Sequence, residues 1–188
     1  MPSGAPIAHQ QAVFPATLGA HERLLTYAVG YGVGLVMPLL MGVGFAAAFS
    51  QAWLLFLPAP FVAIFGVAYL LHPIAFTVSD AAIGVVRSLG TFEIPLRGLC
   101  SVRLNIRPSS VGGLGLARVG GFYGTFGVFW NRRWGRFRVC ITNSVNTVEL
   151  TFADRGRVFV SPDDKLGFAE AVSRAARLAE ATVKDLDT

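Results

Sequence analysis

Charge is what this sequence has least of. Asp, Glu, Lys and Arg make up 14% of its 188 residues, against about 25% in an ordinary soluble domain. None of the four occurs between Arg23 and Asp80. A charge-free run of that length excludes a disordered chain and a coiled coil, both of which need charge along their length. Cysteine is also sparse. Cys100 and Cys140 are the only two and form no CxxC pair, so neither a disulfide framework nor a zinc knuckle is expected. They read as small buried apolar residues in a reducing compartment. Histidine is confined to His9, His21 and His72, with no partner at metal-ligand spacing. No Gly-x-Ser-x-Gly is present. Gly113-Leu114-Gly115 begins a GxGxxG pattern, but Arg118 holds the third glycine position and no Gly-Lys-Ser/Thr follows. No catalytic residue, cofactor or metal is expected.

What fills the gap is apolar. Hydrophobic residues reach 53% of the chain, and the stretch Leu24–Leu71 holds most of the excess. About 20 apolar residues cross a bilayer, so the stretch accommodates two spans, residues 25–49 and 52–71. The pair Ser50-Gln51 makes a short polar turn between them, and His72-Pro73 closes the second. Pro38, Pro58 and Pro60 predict kinked helices, tolerated where neighbours cover the freed backbone groups. Gly30 and Gly34 form a small-xxx-small step for helix packing, either within the hairpin or between chains. Residues 1–23, with Pro2, Pro6 and Pro15, read as a loose tail.

Of the 16 Lys and Arg, 15 follow Pro73, while the Ser50-Gln51 turn has none. The positive-inside rule then puts residues 74–188, and with two spans the N-terminus also, in the cytoplasm. The expectation is a multi-pass cell-membrane protein with both termini inside.

After Ile74 the period changes from helix to strand. Residues 74–79, 83–89, 92–96, 99–106, 122–130, 136–142, 147–152 and 157–160 alternate or run apolar. Residues 107–121 read as a Gly-, Pro- and Ser-rich loop. Ser161-Pro162-Asp163-Asp164 predicts a helix start with Ser161 as cap. Phe168, Val172, Ala175, Ala176, Ala179 and Val183 recur at helical spacing behind it.

Several segments carry a family resemblance. They are Ile94-Pro95-Leu96 with Leu99 and Val102, then Gly121-Phe122-Tyr123-Gly124-Thr125-Phe126-Gly127. Next come Trp134-Gly135-Arg136-Phe137-Arg138-Val139-Cys140-Ile141-Thr142-Asn143, and finally Val158-Phe159-Val160-Ser161-Pro162-Asp163-Asp164 with Phe168. Their order and spacing, over about Phe76 to Ala179, resemble the bacterial pleckstrin-homology-like membrane proteins. The resemblance implies a mixed fold. A two-helix transmembrane hairpin would precede a domain of about seven strands in a bent antiparallel sheet or barrel, capped by a C-terminal helix. It implies little chemistry. Some relatives look like accessory or immunity proteins at the bacterial membrane.

The basic residues point to partners. From Arg87 to Arg157 there are 11 Arg and three acids, Glu93, Glu149 and Asp154. Trp130, Arg132, Arg133, Trp134, Arg136 and Arg138 crowd one predicted hairpin. Aromatic rings favour the headgroup zone and guanidinium groups pair with phosphate. Near an anionic leaflet each basic residue contributes about 1 kcal/mol. The expected partners are therefore anionic lipid headgroups, a membrane protein, or a second copy of the chain. Nucleic acid is not expected, because no binding motif accompanies the charge. The expected role is a non-catalytic lipid- or protein-interaction module. The alternative is an accessory protein that meets a specific partner in the bilayer.

Overall fold

A computed structural model describes residues 11–104, 114–120, 123–132 and 134–186; of 114–120 and 178–186 it describes the backbone alone. Two long apolar helices come near the N-terminus, then two sheets and a C-terminal helix. Helix α1 spans Ala20–Phe49 and α2 spans Ala52–Leu71. Between them Ser50 takes a left-handed conformation, φ 53°, which turns the chain back within two residues. The middle of α1, Leu25–Val36, is wound more widely than an α-helix. Regular α-geometry resumes at Met37, and Pro38, which has no N–H to give the preceding turn, stands at that change of winding. Pro58 and Pro60 likewise stand at the start of the regular part of α2, after a tight turn over Ala52–Phe56. So the prolines sit at changes of winding.

Both helices have the length and composition to cross a membrane, and only 11% and 17% of their most apolar windows is buried. The core helix of a soluble protein is, by contrast, mostly covered. Where they do touch, glycine allows it. A Cβ on Gly34 would stand 2.9 Å from the Phe65 ring of α2. Gly30 is buried as well.

The first sheet has the order β1-β2-β3-β4, antiparallel throughout. Its strands are Ala12–Pro15, Pro73–Val78, Ala82–Arg87 and Gly90–Pro95. Strand β1 corrects the loose-tail reading of residues 1–23, of which 1–10 lie outside the described residues. Ala12-Val13-Phe14-Pro15 is short, but its register against β2 lets Phe14 meet Phe168, ring centroids 5.4 Å apart. The hairpin is thus framed by two strands that pair with each other.

The second sheet has the order β5-β9-β10-β8-β7-β6. Its strands are Leu99–Leu104 (β5), Leu114–Gly120 (β6), Thr125–Asn131 (β7), Gly135–Ile141 (β8), Val148–Phe152 (β9) and Gly156–Val160 (β10). Residues 114–120, expected in a loop, form β6 against β7. The rest of that expected loop, 107–113 and Gly121, lies outside the described residues. The pair β8–β10 is parallel, so the sheet is mixed where an antiparallel one was expected. The two sheets remain separate and do not close into a barrel.

Helix α3, Lys165–Leu186, packs on β5 and β2. Phe168 and Val172 enter the main core with Phe76, Ile83, Val85, Val148, Leu150 and Val160. The helix is capped by Asp164, whose Oδ1 accepts the Gly167 N–H at 2.9 Å. Ser161, expected to be the cap, does something else. It is fully buried, and its Oγ accepts the N–H groups of Thr142 and Asn143 at 2.7 and 3.2 Å. A buried amide at the end of β8 needs an acceptor, and Ser161 is the one within reach.

Candidate interaction surface

The end of the domain that adjoins the helices is defined by hydrogen bonds from strand ends to α1. Gly19 N–H donates to the Thr142 carbonyl at 3.0 Å. Ser144 N–H donates to Glu22 Oε1 at 3.0 Å. Tyr123 N–H donates to Thr26 Oγ1 at 3.0 Å, and Thr26 donates in turn to the Glu22 carbonyl at 2.8 Å. The Tyr123 ring inserts between the helices. Its hydroxyl bonds that of Tyr31, and its ring meets Tyr69 and His72 at centroid distances of 5.5 Å each. Burial and the Tyr31 hydroxyl both push the Tyr123 phenol above its ordinary range. Tyr123 itself is left-handed, φ 58°. Next to it Gly124, φ 108°, lies so close to the Ile141 carbonyl that a Cβ would overlap it. Glycine is required there.

The Trp/Arg hairpin lies elsewhere. Thr125 faces Ile141 at the helix-adjoining end, and Asn131 faces Gly135 at the other. Seven residues of strand rise about 23 Å, so Arg132 and its turn are that far from Tyr123 along the strands. Trp130 is paired with Arg136 and Val128 with Arg138 across β7 and β8. These four share one face. Trp130 is 38% exposed, and Arg132, Arg136 and Arg138 are exposed too. Arg133 lies outside the described residues.

Trp134 is the exception. It turns to the opposite face and packs on Phe137 and Phe159, centroids 6.0 Å away in each case. The Arg157 guanidinium stands 4.6 Å over its ring and forms an ion pair with Glu149, which is 1% exposed. A buried carboxylate needs such a partner. Trp134 is therefore half-buried in a second, smaller core.

The exposed face borders a cleft of about 770 Å³ between β4 and the second sheet. Arg136, Arg138 and Arg155 line it with Phe92, Glu93 and Asp154. Asp154 is held by Arg155, both of its oxygens 3.2 Å from the Arg155 Nε. That contact lowers the Asp154 carboxyl below its usual range. Arg138 reaches across to β4, its guanidinium 4.6 Å from the Phe92 ring centre.

No family model, curated protein or solved structure matches this chain. Among the described residues no three His, Cys, Asp or Glu side chains gather to hold a metal ion. Cys140 is buried as expected, and Cys100 is exposed, against expectation. Cys100 lies at the bulge where β5, an edge strand of the second sheet, loses register with β9.

Arg87 counts in the sequence as the first of the segment's basic residues, with no site role assigned to it. It ends β3, opposite both Pro73 and Gly90, and its guanidinium lies 5.6 Å from the Phe92 ring centre. Its Nε is enclosed and has no hydrogen-bond partner among the described residues. The only signal in the sequence was an arginine one turn before a Gly, which is too common to single out.

Proposed function

We propose that this chain is an integral membrane protein in which α1 and α2 cross the bilayer as a hairpin. Its sheet-rich domain, on the cytoplasmic side, is a non-catalytic interaction module. The observation that carries the module reading is the direction of the basic hairpin. Trp130, Arg132 and Arg136 stand at the end of β7 and β8 that points away from the helices, so they face a partner in the aqueous phase. The excess of Arg over acid favours an acidic protein segment.

Several features support the membrane part. The helices leave large apolar side chains such as Leu40, Phe49, Phe56 and Ile64 uncovered, which water would not tolerate at this scale. The Thr26–Tyr123 and Glu22–Ser144 bonds tie α1 to the domain, which speaks against removal of the first helix as a leader. Pairing of β1 with β2 keeps the segments before α1 and after α2 on one side. The placement of Lys and Arg after Pro73 favours the cytoplasm for that side. The bacterial pleckstrin-homology-like plan remains the proposed ancestry, resting on the shared succession of hairpin, sheets and terminal helix.

Two other readings have less support. Lipid docking through the hairpin tip would require Arg132 to reach back past the length of β7. An intramembrane partner at Gly30 and Gly34 would compete with the chain's own packing, since Gly34 already faces Phe65. The test is a photo-reactive residue at position 136 in the full chain in native membranes. Crosslinking to one acidic protein, abolished by Arg132→Glu, is expected. Crosslinking to lipid alone would refute the outward-facing reading.

A further inference from the structure

The first sheet ends at β4, and no strand among the described residues pairs with its outer edge. One contact fixes which backbone groups that edge offers. Leu96 N–H donates to the Ala81 carbonyl at 2.8 Å, continuing the register that pairs Ile94 with Ile83 and Phe92 with Val85. Bonded and non-bonded pairs alternate along an antiparallel ladder, so Phe92 and Ile94 turn their backbone groups to β3. Thr91 and Glu93 turn theirs outward. Pro95, next in the outward set, has no N–H, and its carbonyl accepts Arg155 Nη1 at 3.2 Å. The open edge is therefore short, centred on Thr91 and Glu93 and closed at one end.

Beside this edge the inner face of the second sheet is uncovered. Cys140 and Val158 on that face belong to the main core. Val128, Arg136 and Arg138 share the face with them, yet Val128 is half-buried and both arginines are exposed. The cleft of about 770 Å³ lies between, within the roughly 300–1,000 Å³ of ligand sites. A strand added to β4 would stand about 4.8 Å from it, over these side chains.

The two arginines define the strand that fits. They are two residues apart on β8, about 7 Å at the strand rise, which is the repeat of side chains on one face of an extended chain. Neither has a carboxylate partner among the described ion pairs. The Arg138 guanidinium lies 4.6 Å from the centre of the Phe92 ring. The ring occupies one face of the group and leaves its in-plane N–H donors for a carboxylate. Glu93 belongs to the exposed set of β4 that alternates with Phe92 and Ile94, so it disfavours acid on the outer face of an added strand.

We propose that an extended acidic segment of a partner protein adds to β4 as a further strand. Its backbone bonds Thr91 and Glu93, and its carboxylates, at alternate positions, meet Arg136 and Arg138. Main-chain bonds supply affinity in this mode and alternate side chains supply specificity. The inference rests on the reading of the basic hairpin as the seat of an acidic protein segment, and adds that segment's conformation and its alternation of charge.

The test uses the full chain in phosphatidylcholine nanodiscs and three synthetic peptides of equal charge. One alternates glutamate with threonine, one carries its glutamates contiguously, and one alternates but is N-methylated along its backbone. The first alone is expected to bind tightly and to slow amide exchange at Thr91 and Glu93. Arg136→Gln with Arg138→Gln should weaken its binding by about tenfold or more, from the loss of two charge-assisted hydrogen bonds. Thr91→Pro, which removes one outward N–H from an edge strand where proline is tolerated, should weaken it too without moving the thermal midpoint. Equal binding of all three peptides would overturn the added strand and leave an acidic partner in place. Slow exchange at Thr91 and Glu93 without peptide would show the edge already filled, by this chain or a second copy, and would overturn it as well. Binding by none would remove this site, while the crosslink from position 136 decides the wider reading separately.

Discussion

Replacing Thr26 with valine probes the joint between helix and domain at a single hydrogen bond. Thr26 is 1% exposed, and valine keeps its shape while deleting the hydroxyl. The Tyr123 N–H then loses the acceptor that stands 3.0 Å away. It has little freedom to find another, because Gly124 beside it is pressed against the backbone of Ile141 and Thr142. A buried amide left without a partner costs about 1–3 kcal/mol. At 1.4 kcal/mol per decade that raises the local opening constant roughly 5- to 150-fold. The assay is amide hydrogen exchange across residues 123–126 of the full chain in lipid nanodiscs. Exchange there should accelerate within those bounds in Thr26→Val and return to the wild-type rate in Thr26→Ser. An unchanged rate in Thr26→Val would mean that Tyr123 is not held by α1, and the rigid joint would be wrong.

Other outcomes follow from the same structure. Phe168→Ala empties a fully buried site against Phe14 and Phe76 and should lower stability by about 3–5 kcal/mol, read as a shifted denaturant midpoint of the full chain. A thiol reagent at neutral pH should label Cys100 at once and Cys140 only on unfolding, because burial encloses Cys140 and raises its thiol above the usual range; equal rates by mass spectrometry would contradict this. Burial also raises the Tyr123 phenol, so its contribution to stability is complete below the unfolded value of about 10 and falls as pH rises beyond it. Alkaline unfolding of Tyr123→Phe should accordingly be less steep than that of wild type.

The extent of what was legible in the sequence follows from the range of the forces involved. The helices end where the apolar run meets Ser50-Gln51 and His72, because the signal there is local and large. Strands from Pro73 to Val160 follow local alternation and turn residues, so most fall within a residue or two of expectation. Strand β6 was hidden by its glycines, and β1 by its four-residue length among prolines. Pairings across long stretches of chain were not legible at all. The parallel contact of β8 with β10, the capture of Ser161 by the end of β8, and the stack of Arg87 and Arg138 on Phe92 each join residues that no local pattern links. The candidate site divides in the same way. The arginines and tryptophans of the hairpin were visible as composition, while their direction came only from the register of β7 on β8. Trp134 illustrates the limit, since its neighbour Arg132 is exposed and it is not.

The pairing of β1 with β2 has a consequence for how the chain is made. Pro15 and Ala75 meet across 60 residues, and everything between them is the hairpin and its two ends. Strand β1 leaves the ribosome before the helices and waits unpaired until both have been synthesised. If only one crossed the bilayer, the two strands would be stranded in different compartments and the sheet could not form. An even number of crossings is the sole arrangement that lets the edge close. On the proposed hairpin topology the completed sheet thus records the parity of insertion, and a chain threaded wrongly would leave an edge of the first sheet open.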